Sequence, residues 1–423
     1  TSGHIMPLIR RINGPVAPAA AWQAAWSALV ARHPALRCRL HEADDGTLLR
    51  DVLQPAAITR AFELADAVTT DEALDHIRAR QSAPMDLAEA PLWRAGLVTV
   101  AQDGASLFWL AQHHATGDGR SIGVLTGELL ALLAGDDLPA LAETPETISA
   151  REQAYMAREA GADAQWWAKR LASLPASAFD DWETDFPRSL RTAGSHHYAT
   201  SLTSAEAAAL TALARRHSAS LHAVLLALLA HVVHRRTGRQ DFLIGTTATV
   251  PESAAEAAVV HYGVNMLPLR FASVGSGGFE ALLRHARDEL NDALTHARYP
   301  FARIYQDLRA ARIGANHPGR YPVFDIAITE NPAPPPPSTG THFDQIAPFA
   351  RQAQGGDGIR YERMPNPPGQ DMVLTYQRLG DGGLLLDWQM NAALYHADIG
   401  AFWMEGLADA ARWLAAHPAA DAE

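Results

Sequence analysis

Apolar residues recur at helical spacing in some stretches and in short runs of strand length in others, which predicts a mixed α and β fold. Pro18 opens an apolar helical stretch through Trp22, Trp26 and Leu29 that ends before Pro34. A capping-box pair, Thr69 and Glu72, predicts a second helix over 71–81, and another pair, Thr203 and Glu206, opens the helix predicted within 203–217. The sequence therefore predicts two helices in the N-terminal part of the chain.

Two apolar runs at 94–100 and 106–112 have the length of strands. The pair Asp103 and Gly104 between them is typical of a tight turn, so the two runs predict a hairpin. The pattern returns to helical spacing over 121–134. We therefore predict a strand that ends in a short loop directly before a helix.

A long polar-faced helix is predicted from about 145 to 174, and the residues after Pro175 show little periodicity. We place a domain boundary there, which gives domains 1–175 and 176–423. A run of prolines at 331–337 predicts a loop or an extended crossover. The second half predicts strands at 196–202, 241–247, 264–271, 323–329, 372–377 and 384–390, and helices within 203–217, 221–236, 279–296 and 397–416.

Composition excludes several classes of protein. Apolar residues make up 48% and charged residues 19% of the 423 residues, which is typical of a globular protein with a sizeable core. A net charge of −12 disfavours nucleic acid and anionic membranes as partners. The single cysteine, Cys38, excludes an internal disulfide. We expect a cytoplasmic monomer that binds neither nucleic acid nor membrane.

The candidate chemistry lies where the predicted hairpin meets the helix, in the adjacent pair His113 and His114 followed by Asp118. A neutral imidazole accepts a proton at physiological pH, so one histidine is a candidate general base. Adjacent strand residues point to opposite faces, and we favour His114. The alternative to a general base is that both histidines have a purely structural role. A metal site lacks a third ligand at useful spacing, and a serine triad lacks its Gly-x-Ser-x-Gly turn.

The motif His-His-x-x-x-Asp-Gly at 113–119 resembles the signature of nonribosomal peptide synthetase condensation domains and of related acyltransferases built like chloramphenicol acetyltransferase. After Thr246 the sequence departs from the family's usual continuation. Further blocks that resemble the family follow in the family's order at 32–37, 84–92, 166–171, 234–246, 262–270, 299–301 and 321–325.

This resemblance implies two chloramphenicol acetyltransferase-like subdomains in a V-shaped pseudo-dimer with a central tunnel. It also implies that His113, His114, Asp118 and Gly119 form the catalytic motif. His114 would orient or deprotonate the nucleophile, and the Gly119 N–H would approach the developing oxyanion. Asp118 would hold the loop through a salt bridge, for which we predict Arg37 as the partner.

Three further residues are predicted substrate contacts: Arg120, Ser121 and Asn265. For Arg120 the alternative is a solvated loop residue, and for Asn265 it is a strand-end cap. Arg120 also prompts the hypothesis that the acceptor is a free, carboxylate-bearing amine or alcohol.

The function implied is joining a carrier-bound acyl thioester to an amine or hydroxyl, giving an amide or an ester. The resemblance implies no metal and no directly bound cofactor, because phosphopantetheine arms deliver the substrates. The expected partners are an acyl or peptidyl carrier protein as donor, and a second carrier or a free small molecule as acceptor. The alternatives are an acyltransferase acting on coenzyme A or lipids, and a non-catalytic, partner-recruiting domain. The first usually has an Asp-Phe-Gly-Trp-Gly block, absent here, and the second is expected to have lost a motif histidine.

Overall fold

The structure is a computed structural model that describes residues 4–13, 16–179, 194–249, 253–313, 321–331, 342–345, 359–364 and 370–417. The strands are β1 (Ile5–Asn13), β2 (Cys38–Glu42), β3 (Leu48–Val52), β4 (Glu63–Ala67), β5 (Trp93–Val100), β6 (Ser106–His113), β7 (Ser195–Leu202), β8 (Phe242–Thr249), β9 (Val264–Phe271), β10 (Ile326–Asn331), β11 (His342–Gln345), β12 (Arg360–Met364), β13 (Met372–Arg378) and β14 (Leu384–Asn391). The helices are α1 (Ala19–Arg32), α2 (Thr70–Ser82), α3 (Gly119–Ala134), α4 (Pro145–Arg158), α5 (Gly161–Arg170), α6 (Ser204–Arg216), α7 (Leu221–Thr237), α8 (Ala254–Ala257), α9 (Gly278–Thr295), α10 (Phe301–Ala310) and α11 (Ala397–Ala416).

The chain divides into two compact units. Unit 1 comprises Thr1–Gln153, Pro251–Gly263 and Pro332–Pro348, and unit 2 comprises Ala154–Val250, Val264–Asn331 and Phe349–Glu423. The predicted boundary after residue 175 does not coincide with this division. The chain changes unit already at 153/154, within α4, and two later segments return to unit 1. Local periodicity cannot reveal such returns, because they depend on long-range contacts.

Unit 1 is built on a five-stranded sheet in the order β11-β1-β6-β5-β4. The predicted hairpin is confirmed, since β5 and β6 pair antiparallel. Residues of β6 alternate between two cores: Phe108 and Leu110 pack with Trp22 and Trp26 of α1, whereas Trp109 packs with residues of α2. Helices on both faces thus fix the strand that carries the histidines.

Unit 2 contains a seven-stranded sheet in the order β12-β7-β14-β13-β10-β8-β9. Helix α7 is buried almost all round, as its continuous apolar sequence predicts. It shares one core with residues of α6, α9 and α11. The capping box that opens α6 is confirmed, because the Thr203 side chain accepts from the Glu206 N–H and Glu206 reaches back to the Thr203 N–H.

Other expectations need correction. The predicted helix over 145–174 is two helices, α4 and α5, which are interrupted before Gly161, a residue of low helix propensity. Most of the predicted proline loop lies outside the described residues, although Asn331 ends β10. The apolar pattern did not predict β1, β2, β3, β4, β11 and β12.

Among the described residues, no single helix is long and apolar enough to cross a membrane. The bent pair α6 and α7 reaches the necessary length and apolarity only when the two helices are taken together.

Candidate active site

The loop between β6 and α3 carries the motif. His113 is the last residue of β6, a 3-10 turn covers His114–Thr116, and Gly119 is the first residue of α3. The close approach occurs at Gly117, where an added Cβ would lie 2.6 Å from the Gln112 Nε2. Gly119 itself is the first residue of α3, so the crowded turn before the helix lies at Gly117 rather than at Gly119.

His114 has one ring nitrogen engaged. Its Nδ1 lies 2.9 Å from the carbonyl oxygen of Gly117. A carbonyl only accepts hydrogen bonds, so Nδ1 carries the proton in the neutral ring and Nε2 keeps its lone pair. The half-buried ring also contacts the ring of Tyr262 edge to face, with centroids 5.3 Å apart. Nε2 is thus the nitrogen able to accept a proton from a substrate.

His113 is buried and has a different role. Its Nδ1 accepts a hydrogen bond from the Ala115 N–H at 3.2 Å, which holds the turn. Burial, together with the neighbouring His4 and His114, lowers the pKa of His113 to about 4. His113 is therefore neutral at physiological pH and places no positive charge beside His114.

Asp118 is buried and binds two backbone groups. Its Oδ1 accepts from the Ser121 N–H at 2.8 Å, which caps α3, and its Oδ2 accepts from the Gly263 N–H at 3.0 Å. The predicted ion pair with Arg37 is wrong. The Arg37 guanidinium instead donates to the carbonyl oxygens of Val30 and Leu53. Two N–H dipoles and the N-terminus of α3 stabilise the carboxylate in place of a cation.

The residues after the motif bind a segment far away in sequence. We call residues 253–263 the return segment, because here the chain comes back to unit 1. Ser121 is fully buried, and its Oγ donates to the His261 carbonyl at 2.8 Å and accepts from the His261 N–H at 3.2 Å. The predicted substrate contact of Ser121 is therefore wrong, since its hydroxyl holds the return segment.

Arg120 holds the same segment. Its Nη1 donates to the carbonyl oxygens of Glu256, Ala257 and Val259 at 3.3, 2.7 and 3.0 Å. Its Nε and Nη2 are also shielded from solvent. Neither a solvated loop arginine nor a substrate-facing cation fits this arrangement. The hypothesis of an acidic acceptor bound by Arg120 loses its support.

An ion-pair network secures the other end of the return segment. Arg151 contacts Glu143 at 2.9 Å and Glu256 at 2.5 Å, and the Ser253 hydroxyl donates to Glu143 at 2.9 Å. Burial is the main cause of the lowered pKa of His261, which lies beside Glu256. The sequence analysis missed these residues, and no local pattern marks them.

Asn265 lies on β9 in unit 2, and its amide is fully engaged there. Nδ2 donates to the carbonyl oxygens of Ala297 and Tyr299 at 2.9 and 2.8 Å. Oδ1 accepts from the N–H groups of Met266 and Phe301, each at 2.9 Å. These contacts fit the alternative of a structural cap rather than a substrate contact.

Within the described residues, no group of three or more His, Cys, Asp or Glu side chains is arranged to hold a metal ion.

Comparison with known proteins identifies the family. A family model described as "Condensation domain" matches residues 1–334. The chain is 29% identical over 304 residues to tyrocidine synthase 2 of Brevibacillus parabrevis, covering 71% of this chain and 8% of that protein. It is 30% identical over 311 residues to the AMB antimetabolite synthetase AmbB of Pseudomonas aeruginosa, covering 73% of this chain and 24% of that protein. The chain thus spans less than a quarter of the length of either relative.

Solved structures of condensation domains share the fold of this chain. The condensation domain of the Monacolin K polyketide synthase MokA superposes with a TM-score of 0.82 at 18% identity, covering 99% of this chain and 94% of that one. The predicted fold class, with the chloramphenicol acetyltransferase-like architecture of these domains, is confirmed, and the two alternative functions are not favoured. This chain belongs to the condensation-domain family, whose members in nonribosomal peptide synthetases are amide-forming acyltransferases.

Proposed function

We propose that this domain transfers an acyl group from the phosphopantetheine thioester of a donor carrier protein to an amine or hydroxyl nucleophile. The observation that carries the proposal is the bond from His114 Nδ1 to the Gly117 carbonyl, which leaves Nε2 with its lone pair. Condensation domains of nonribosomal peptide synthetases act on carrier-bound substrates. The acceptor is a second carrier-bound group or a free small molecule.

The reaction follows from the geometry of the motif. The nucleophile gives a proton to His114 Nε2 while its nitrogen or oxygen attacks the thioester carbon. The tetrahedral intermediate then expels the thiolate, which takes the proton back from His114. A C–N or C–O bond forms, a C–S bond breaks, and the free phosphopantetheine thiol leaves. Neutral His113 does not compete for this proton, since its pKa is about 4.

Gly119 remains our candidate for oxyanion stabilisation. As the first residue of α3, it has an N–H without an acceptor four residues earlier in the helix. The positive end of the helix macrodipole adds to the stabilisation of a developing negative charge.

We also propose a cytoplasmic location. The chain has a single cysteine, Cys38, and therefore no internal disulfide, a cysteine usage typical of proteins in a reducing compartment.

The test is an intact-mass assay with an acyl-loaded carrier protein and a panel of amines and alcohols. We expect the wild type to unload the carrier and to form one acylated product, and His114→Ala to leave the carrier loaded. Transfer from acyl-coenzyme A in the absence of a carrier would favour the coenzyme A acyltransferase. Carrier binding without transfer to any acceptor would favour a recruiting domain.

A further inference from the structure

Tyr262 places an exposed aromatic ring next to the general base. Its side chain is 54% exposed, although most large apolar side chains of the described residues are buried. The ring meets that of His114 at 66°, with centroids 5.3 Å apart. A group that binds at His114 therefore comes close to an aromatic surface that is open to solvent.

The position of this ring is fixed by the residues that flank it. Gly263, the next residue, donates its N–H to buried Asp118, and His261, the preceding residue, exchanges two hydrogen bonds with Ser121. Arg120 holds the segment a few residues earlier. Tyr262 is thus anchored on both sides by the motif loop itself. An exposed aromatic side chain on so rigid a backbone is typical of a binding residue.

The charges around the ring favour a cation. Loss of hydration on the part of the side chain that is not exposed, and then the negative charge of buried Asp118, raise the pKa of the Tyr262 phenol, which stays neutral. His113 is neutral at physiological pH. The positive charge of Arg120 is directed into three backbone carbonyls. An ammonium group beside His114 therefore lies near an aromatic ring and within the field of a buried carboxylate.

We propose that Tyr262 is an acceptor-binding residue whose ring holds an amine nucleophile in its ammonium form beside His114. The inference rests on the proposed function and makes amines the preferred acceptors over alcohols. Aromatic rings attract ammonium ions within about 6 Å of their centroid, and a hydroxyl group gains no such attraction. The ammonium group first gives one proton to water, which frees the nitrogen lone pair. The nitrogen then attacks the thioester carbon and gives a second proton to His114, which passes it to the leaving thiolate as the C–S bond breaks.

A binding experiment measures the contribution of the Tyr262 ring separately from catalysis. The probes are choline and its uncharged isostere 3,3-dimethylbutan-1-ol, titrated by NMR against the wild type, Tyr262→Phe and Tyr262→Leu. We expect Tyr262→Leu to weaken choline binding about 3–10-fold and to change binding of the isostere less than twofold, while Tyr262→Phe retains both. The matched control is Trp413→Leu, which removes a 40% exposed aromatic side chain of α11 in unit 2. Equal losses for both probes would overturn the proposal.

A kinetic experiment then uses the best amine of the panel and the alcohol of the same carbon skeleton. Tyr262→Leu should raise KM for the amine about 3–10-fold, change kcat less than twofold, and leave KM for the alcohol unchanged. An unchanged amine KM contradicts the inference while the wild type still condenses. If the wild type condenses nothing yet binds choline through Tyr262, the proposed function fails and the cation site stands.

Discussion

Each unit contains a hairpin that leads through a five-residue loop into a helix, and the two loops differ in chemistry. In unit 1 the hairpin of β5 and β6 continues through 114–118 into α3, and in unit 2 the hairpin of β13 and β14 continues through 392–396 into α11. The backbone plan is shared. The two loops therefore differ in their side chains and not in their backbone plan.

The unit 2 loop is filled with apolar groups. Ala393, Leu394 and Tyr395 are buried, and Asn391 accepts a hydrogen bond from the Ala393 N–H at 2.9 Å. His396 is exposed and lies directly before α11 without a capping side-chain bond. The unit 1 loop instead buries a carboxylate and supports a base. The hairpin and helix thus position a loop precisely, and only the residues within it decide whether chemistry takes place there.

The largest expected effect tests the two loop histidines against each other. His114→Ala should lower kcat about 10²–10⁴-fold and leave the fold intact, because it removes the general base that we propose. His396→Ala, the matched change in the unit 2 loop, should keep kcat within twofold. Steady-state assays with a loaded carrier, together with circular dichroism, measure both. A wild-type rate for His114→Ala at saturating substrate would end the assignment of the base.

The two buried loop caps provide the next test. Asp118→Ala removes a helix cap and a charge-assisted bond to Gly263, so it should cost about 2–4 kcal/mol of unfolding free energy and lower activity as well. Asn391→Ala removes one neutral bond and should cost about 1 kcal/mol. Urea unfolding compares them. A fully stable but inactive Asp118 variant would favour a direct chemical role for this carboxylate.

Acid should act on both units through histidines whose pKa is lowered in the folded state. Burial lowers the pKa of His113 in unit 1 and of His222 in unit 2 to about 4 each, against about 6.5 in an unfolded chain. Their contribution to stability is complete above pH 6.5 and is lost as the pH falls toward 4, because the unfolded state then binds more protons.

His222 is the histidine to vary, since it lies away from the motif and bonds Thr246 at 2.7 Å and Tyr376 at 3.0 Å. We expect the melting temperature to fall between pH 6.5 and 4 for the wild type, and to fall less steeply for His222→Gln. Identical slopes for the two proteins would show that His222 is not one of the groups responsible.

The smallest expected effect concerns the arginine that holds the return segment. Arg120→Lys keeps the charge but loses the planar guanidinium. We therefore expect the free energy of unfolding to fall by about 1 kcal/mol and kcat/KM to decrease less than tenfold. The control in unit 2 is Arg287→Lys, because Arg287 donates to the His217 carbonyl in a similar way. Thermal melts and acceptor kinetics distinguish the two. An effect on kcat/KM of equal size in both variants would contradict a specific role for Arg120.

Local features were predictable from the sequence, because their signals lie within a few residues. The hairpin, the helix caps at Thr69 and Thr203, and the buried helix α7 all follow from spacing and capping chemistry. Strand β1 was not predicted, because Pro7, Arg10 and Arg11 interrupt its alternation of apolar residues. Periodicity cannot detect such a strand.

The partners of the motif were not predictable for a different reason. Arg120, Ser121 and Asp118 bind residues that lie 136 to 145 positions further along the chain. Motif resemblance suggested Arg37 for Asp118, but Arg37 bonds two carbonyls nearby. The loop chemistry was recognisable from one segment, whereas its support depends on a segment that only the tertiary fold brings back.

The return of residues 253–263 to unit 1 has a practical consequence for building hybrid synthetases. A recombination point at the 153/154 boundary would take His113 and His114 from one parent and Tyr262 from the other. Asp118 would then meet a foreign Gly263 equivalent, and Arg120 would face foreign carbonyls. Exchange of the whole domain keeps these pairs together. A genetic crossover at one point of the sequence therefore separates residues that contact one another in the folded domain and that need to be inherited together.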